Sequence, residues 1–237
     1  MPETESSPYA GMFDAEARLS WVLAAMAGVI GAAALLHTEG YFVTFMTGNS
    51  ERAIVNWFDG RSSMALAAIL LIVSFVAGVF VASWCRRHFW TQHPHGPTLL
   101  TTASLAVATV IDFFTETPAG APDIELVPIL FVAFGTGALN TSFVKNGEVS
   151  VPITYFTGAL VKMGQGLERH LAGAATAAAW LGHFLIWSSF LLGGLIGGLM
   201  NMITDGLGLL LLATIVCLIT TVYTYLHLDR HGPLATE

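Results

Sequence analysis

Two short stretches carry the residues best suited to chemistry in this chain. Thr44-Phe45-Met46-Thr47-Gly48 and Thr154-Tyr155-Phe156-Thr157-Gly158 align at a spacing of 110 residues, close to half of the 237-residue chain. Each interrupts an apolar segment with hydroxyls and a glycine, and the first runs on into Asn49, Ser50, Glu51 and Arg52. Non-helical backbone at membrane depth is tolerated only where protein buries it or where it lines a cavity. Glycine admits unusual backbone angles and close approach. The hydroxyls of Thr44, Thr47, Thr154 and Thr157, the Asn49 carboxamide and the N–H groups freed at Gly48 and Gly158 are therefore candidates to hydrogen-bond a small solute. A helix that restarts after Gly48 and after Gly158 would aim its N-terminal dipole at a polar or anionic group. Arg52 and Lys162 each follow the second threonine of their motif by five residues and are candidates to steer an anion or gate an entrance. The plainer alternative is a turn and N-cap at a helix mouth, since Gly, Asn and Ser are ordinary turn residues.

Other polar residues fall within or beside apolar runs. Asp112 is the clearest, because an ionisable residue inside a spanning helix is a functional candidate by default. The alternative puts it at a helix end, in water. His37 and Glu39 precede the first motif and form a candidate titrating pair, histidine changing charge near neutral pH; they equally mark a helix end. Lys145 and Glu148 take the comparable place before the second motif. Asn140 either lines a cavity or bridges helices, and His183 reads as a packing histidine. His88, His93 and His95 lie in the loop 86–97, which itself contains no cysteine or carboxylate. A basic anchor on anionic lipid fits that loop better than a metal site. Cys85 and Cys217 have no metal-binding or disulfide spacing and read as two free thiols. Nucleophile-elbow, zinc-protease, P-loop and dinucleotide patterns do not occur, and Ser50 with His37 completes no triad. The expectation is no enzyme, no cofactor and no metal.

The elements that must hold these residues are membrane helices. Charged residues make up 11% of the chain and apolar ones 54%, with mean hydropathy +0.69; a soluble domain carries about 25% charged residues. A spanning helix needs about 20 mostly apolar residues, and runs at 19–37, 64–85, 98–115, 126–144, 174–200 and 206–227 qualify. The expected fold is all-α, integral to the membrane, with six transmembrane helices. The first run is too long and too weakly basic for a cleaved signal peptide. Lys and Arg are too few and too dispersed for nucleic-acid binding, and much of the net charge of −7 comes from the acidic N-terminal residues Glu3, Glu5, Asp14 and Glu16. With the N-terminus in the cytoplasm, Arg18, Arg86, Arg87, Lys145, Lys162, Arg169 and Arg230 lie inside, and Arg52 and Arg61 outside. That bias follows the positive-inside rule and puts both termini in the cytoplasm.

Each Thr-Gly motif follows one spanning run and precedes two more. The chain thus reads as two three-helix repeats, 19–115 and 126–227, with an external linker 116–125 and cytoplasmic tails 1–18 and 228–237. Three is odd, so the second copy is inverted relative to the first. Inverted repeats with interrupted helices characterise secondary transporters, whose sites lie at the repeat interface. Ser74, Gly78 and Ala82 in the second run, and Gly193, Gly194, Gly197 and Gly198 in the fifth, form small-residue ridges for close packing. They would join the repeats or two protomers, which makes a homodimer a candidate assembly.

The stretches GYFVTFMTGNSERA and ITYFTGALVKMGQGLERHL resemble the two signature stretches of the YoaK-type family, over about residues 20–227. The resemblance implies a six-helix protein of the bacterial inner membrane and supports architecture more than activity. Similar proteins often carry an Asp three residues after a glycine of the first helix. That slot, counted from Gly28, is Gly31, and its counterpart counted from Gly137 is Asn140. The functional expectation is a transporter of a small polar or anionic solute or ion, working by alternating access about the paired motifs. The rivals are a passive channel and a non-transporting scaffold or sensor. The reading fails if the two motifs lie far apart or both face lipid.

Overall fold

The computed structural model describes residues 15–90, 95–115, 123–145, 148–149 and 153–227. Long Ala-, Leu-, Val- and Gly-rich runs form α1 (Ala15–His37), α3 (Ser62–His88), α4 (His95–Phe114), α7 (Ala178–Met200) and α8 (Gly206–His227). Among the described residues these five helices are long and apolar enough to cross a membrane. Shorter helices α2 (Met46–Phe58), α5 (Leu126–Leu139) and α6 (Phe156–Leu171) lie between them. β1 (Val144–Lys145) and β2 (Glu148–Val149) pair as a small antiparallel hairpin. The chain is a multi-pass membrane protein. On α3, the exposed Ile69, Val73, Val76, Phe80 and Trp84 follow helical spacing and make one apolar stripe, as lipid contact requires.

The expected run 126–144 is shorter as a helix. α5 has 14 residues, about 21 Å at 1.5 Å per residue, against a hydrocarbon core of about 30 Å. Its end has a local cause. Asn140 Nδ2 donates to Thr136 O, Thr141 Oγ1 to Ala138 O and Ser142 Oγ to Leu139 O. These side chains satisfy the last carbonyls and compete with further helical hydrogen bonds.

Helix partners cross between the two halves: α1 packs on α7 and α3 on α5, while α4 meets α8. Glycines set both crossings. A Cβ on Gly28 would collide with the Phe190 carbonyl, and one on Gly193 with that of Ala25. A Cβ on Gly137 would collide with the Phe75 carbonyl, and one on Gly78 with that of Phe134. Two of these carbonyls, those of Phe75 and Phe190, belong to matching sequences, Ser74-Phe75-Val76-Ala77-Gly78 and Ser189-Phe190-Leu191-Leu192-Gly193. The α4–α8 seam is lined instead by hydroxyls, with Thr102 and Thr221 3.0 Å apart and Thr109 and Thr214 3.1 Å apart. The core gathers Leu23 and Ile30 of α1, Leu71 of α3, Leu105 of α4 and Leu139 of α5, together with Val43 and Ile153.

Candidate functional site

Beyond His37 the chain turns back along α1. The Thr38 hydroxyl donates to Ala34 O and accepts from Tyr41 N–H, and Gly40 takes φ +75°, which favours glycine. By Thr44 the chain lies beside Gly31: a Cβ on that glycine would stand 3.0 Å from Thr44 Oγ1. Gly31 precedes the end of α1 by six residues, so the chain has re-entered by about 9 Å. The hydroxyl of Thr136, on α5, donates to Val43 O at 2.8 Å. α2 then begins at Met46 and returns toward the end of α1, where Arg52 donates to the carbonyls of Gly40 and Glu39. The Arg52 guanidinium also lies over the rings of Tyr41 and Phe42. The first break is therefore an irregular, bent segment going in and a helix coming out.

Both helices start two residues before their glycines rather than after them. Thr47 and Gly48 sit within the first turn of α2, and Thr157 and Gly158 within that of α6. Neither Gly48 nor Gly158 has positive φ. Each glycine instead makes room for the ring that precedes it: a Cβ would strike Phe45 in the first case and Tyr155 in the second. Phe45 and Tyr155 are the N-cap residues, and neither start has a side-chain cap, so the first N–H groups of both helices have no side-chain partner.

The two asparagines hold backbone. Asn49 is fully buried; its Nδ2 donates to Phe42 O at 2.6 Å and its Oδ1 accepts from Phe42 N–H at 3.4 Å. The carboxamide thus closes the re-entrant turn onto α2, and both of its polar atoms are engaged. Asn140 Oδ1 accepts from Thr154 N–H at 3.0 Å and from Thr154 Oγ1 at 3.2 Å, tying α5 to the second break. Val43 and Ile153, the residues before Thr44 and Thr154, are both fully buried in one core. Thr47 and Thr157 are exposed on the single chain, as is Lys162, whose charge bears on His183 of α7.

His37 does not pair with Glu39. Its Nδ1 lies 2.6 Å from Asp123 Oδ2, while Glu39 accepts the Tyr41 hydroxyl at 2.9 Å. Burial, and next the bond to Glu39, push the Tyr41 phenol up to about 12. Asp112 is buried near the end of α4, within electrostatic reach of Asp205, Asp123, Glu125 and His37. Among the described residues no group of three or more His, Cys, Asp or Glu side chains is placed to hold a metal ion. His93, the linker 116–122, the terminal tails and the side chains of Lys145 and Glu148 lie outside the described residues. Sequence reasoning missed Asp123 and Thr136, whose partners are 86 and 93 residues away. The repeated Ser-Phe-x-x-Gly was a legible signal for the crossings.

A relative from Rhizobium meliloti (strain 1021), UPF0700 transmembrane protein RA0705, is 29% identical over 182 residues, covering 75% of this chain and 71% of that protein. No solved structure matches. Residues 19–223 match the family model described as "Protein of unknown function (DUF1275)", and a match over nearly the whole membrane region, carrying both Thr-Gly stretches, means that the chain belongs to this family.

Proposed function

We propose that this protein transports a small polar or anionic solute by alternating access, about a site built at the two Thr-Gly helix starts. One observation carries the reading. Two helices begin without side-chain caps, each just after a non-helical residue, Val43 or Ile153, that is fully buried in a common core. Uncapped helix starts at depth offer N–H donors and a positive dipole end to a solute. Interrupted helices at matching places in two halves are the transporter pattern. Thr44, Thr47, Thr157 and the N-terminal N–H groups are the proposed solute contacts, while the N–H and hydroxyl of Thr154 are engaged by Asn140. Asn49, Asn140 and Arg52 hold the breaks in shape, while Asp112 and His37 gate or couple at the end of the bundle where α1 finishes.

In this reading the halves are inverted copies. The reciprocal contacts of Gly28 with Phe190 and of Gly137 with Phe75 support it, as does the crosswise pairing of Thr102 with Thr221 and Thr109 with Thr214. The membrane is crossed six times, with α5 and the hairpin together making one crossing. The protein is taken as an inner-membrane one with both termini cytoplasmic. Gly182 and Gly198 have no other group within contact distance, so α7 offers a face for a homodimer.

The test is thermal stabilisation of the purified protein across a panel of small anions and metabolites, since a ligand of the folded state raises its stability. Thr47→Val and Thr157→Val are measured in parallel. A hit weakened in both variants, followed by saturable uptake of that compound into liposomes, is the expected result. A hit unchanged in both variants, or flux that never saturates, would sink the reading.

A further inference from the structure

The two breaks differ in one respect that identifies a ligand chemistry. In the second, the Asn140 carboxamide oxygen accepts from both the N–H and the hydroxyl of Thr154. The corresponding threonine of the first break is Thr44, and the position corresponding to Asn140 is Gly31. The correspondence comes from the shared spacing after Gly28 and Gly137, and space agrees with it. Gly31 faces Thr44 as Asn140 faces Thr154, the absent Cβ falling 3.0 Å from Thr44 Oγ1. Gly31 has no side chain to offer an acceptor, and among the described residues Thr44 has no hydrogen bond from its N–H or its hydroxyl. Two donors that are satisfied internally in one half thus stand open in the other. The N–H groups at the start of α2, two residues further on, also lack a side-chain cap.

We infer that the first break binds a carboxylate group, whose oxygen takes at Thr44 the place that the Asn140 side-chain oxygen takes at Thr154. An oxygen acceptor is what two neighbouring donors require. A carboxylate is favoured over a neutral amide because hydrogen bonds to an ionised acceptor are about twice as strong as neutral ones and because the start of α2 favours negative charge. The inference rests on the reading of the halves as copies of one unit. It goes beyond the proposed transport by assigning the solute class and making the two half-sites unequal: the first recognises, and the second is filled by the protein itself.

The probe is acetate, compared with chloride at equal ionic strength, with thermal unfolding of the purified full-length protein as the readout. Gly31→Asn installs the missing oxygen, and Thr44→Val removes the hydroxyl at nearly constant shape. Acetate is expected to stabilise the native protein, with an apparent affinity at least tenfold weaker in both variants. Gly31→Asn should keep or raise the unfolding temperature in chloride, because it supplies the bond that Asn140 makes. If the added Cβ prevents folding, Thr44→Val alone decides. An undiminished acetate response in Thr44→Val, or no acetate response in the native protein, overturns the inference. The outcome is separable from that of the transport reading. Acetate binding lost in both variants without flux of any solute leaves the carboxylate site standing and removes the transporter. Solute flux indifferent to Gly31→Asn does the reverse.

Discussion

Asn49 has the residue types around it that suggest solute binding, yet its carboxamide is engaged at both ends by Phe42. Asn49→Ala should leave the half-buried N–H and carbonyl of Phe42 without their partner. That costs about 1–3 kcal/mol and should lower the unfolding temperature with or without ligand. Ser50→Ala, at an exposed position, should stay within about 0.5 kcal/mol. Tyr41 offers a pH test on the same loop. Its folded value, about 12, lies above the ordinary 10.0, so the contacts favouring the neutral phenol are fully present below pH 10. They are lost as pH rises through 12. In an ultraviolet titration of tyrosinate, Tyr41→Phe should remove absorbance from the most alkaline part of the curve, and ionisation of that phenol near pH 10 would contradict the burial and the Glu39 bond. The motif was legible in the sequence at this scale, but Asn49's role was not. Type and spacing reveal which groups can hydrogen-bond, whereas the partner of Asn49 depends on a turn seven residues long.

Elements are set by close packing at a few glycines and by polar residues that end helices. Gly193→Ala drives a methyl into the Ala25 carbonyl, and Gly137→Ala does so at Phe75. Backbone cannot move aside as a side-chain end can, so each should cost about 1–3 kcal/mol. Gly182 has nothing within 4 Å, and Gly182→Ala should be neutral or up to about 1 kcal/mol stabilising through helix propensity. Thermal unfolding in one detergent would rank the three, and equal losses would mean that the crossings are looser than described. Five spans were legible because composition alone makes a membrane helix. The short α5 was hidden because averaging hydropathy through residue 144 dilutes Asn140, Thr141 and Ser142, whose side chains end it. The amphipathic helices α2 and α6 were half visible. The motifs marked where they start, and only the packing of Thr44 on Gly31 revealed that the first starts at depth.

At the scale of the whole molecule, the contacts at one end of the bundle constrain the path of the chain. Ile124 N–H donates to the last carbonyl of α1, and Gly206, the first residue of α8, lies against Ile124 and the Cβ of His37. The end of α1 and the starts of α5 and α8 therefore share one end, and Asp112 brings the end of α4 there too. α7 finishes just before α8 begins, so its start belongs at the opposite end. Between α5 and α7 the chain therefore passes from one end of the bundle to the other, and α5 alone would cover about two thirds of the hydrocarbon thickness. On the proposed reading, six crossings would return the C-terminus to the side of the N-terminus, and the distribution of Lys and Arg would put that side in the cytoplasm. Reporter fusions after Leu226 and before Ala15, one active only in the cytoplasm and one only outside it, should both report cytoplasm. A junction at Asp59, after the outward-running α2, should report the outside. A C-terminus on the outside would mean that α5 and the hairpin turn back without crossing. The halves could not then be inverted copies, and the transport mechanism built on them would fall with that geometry.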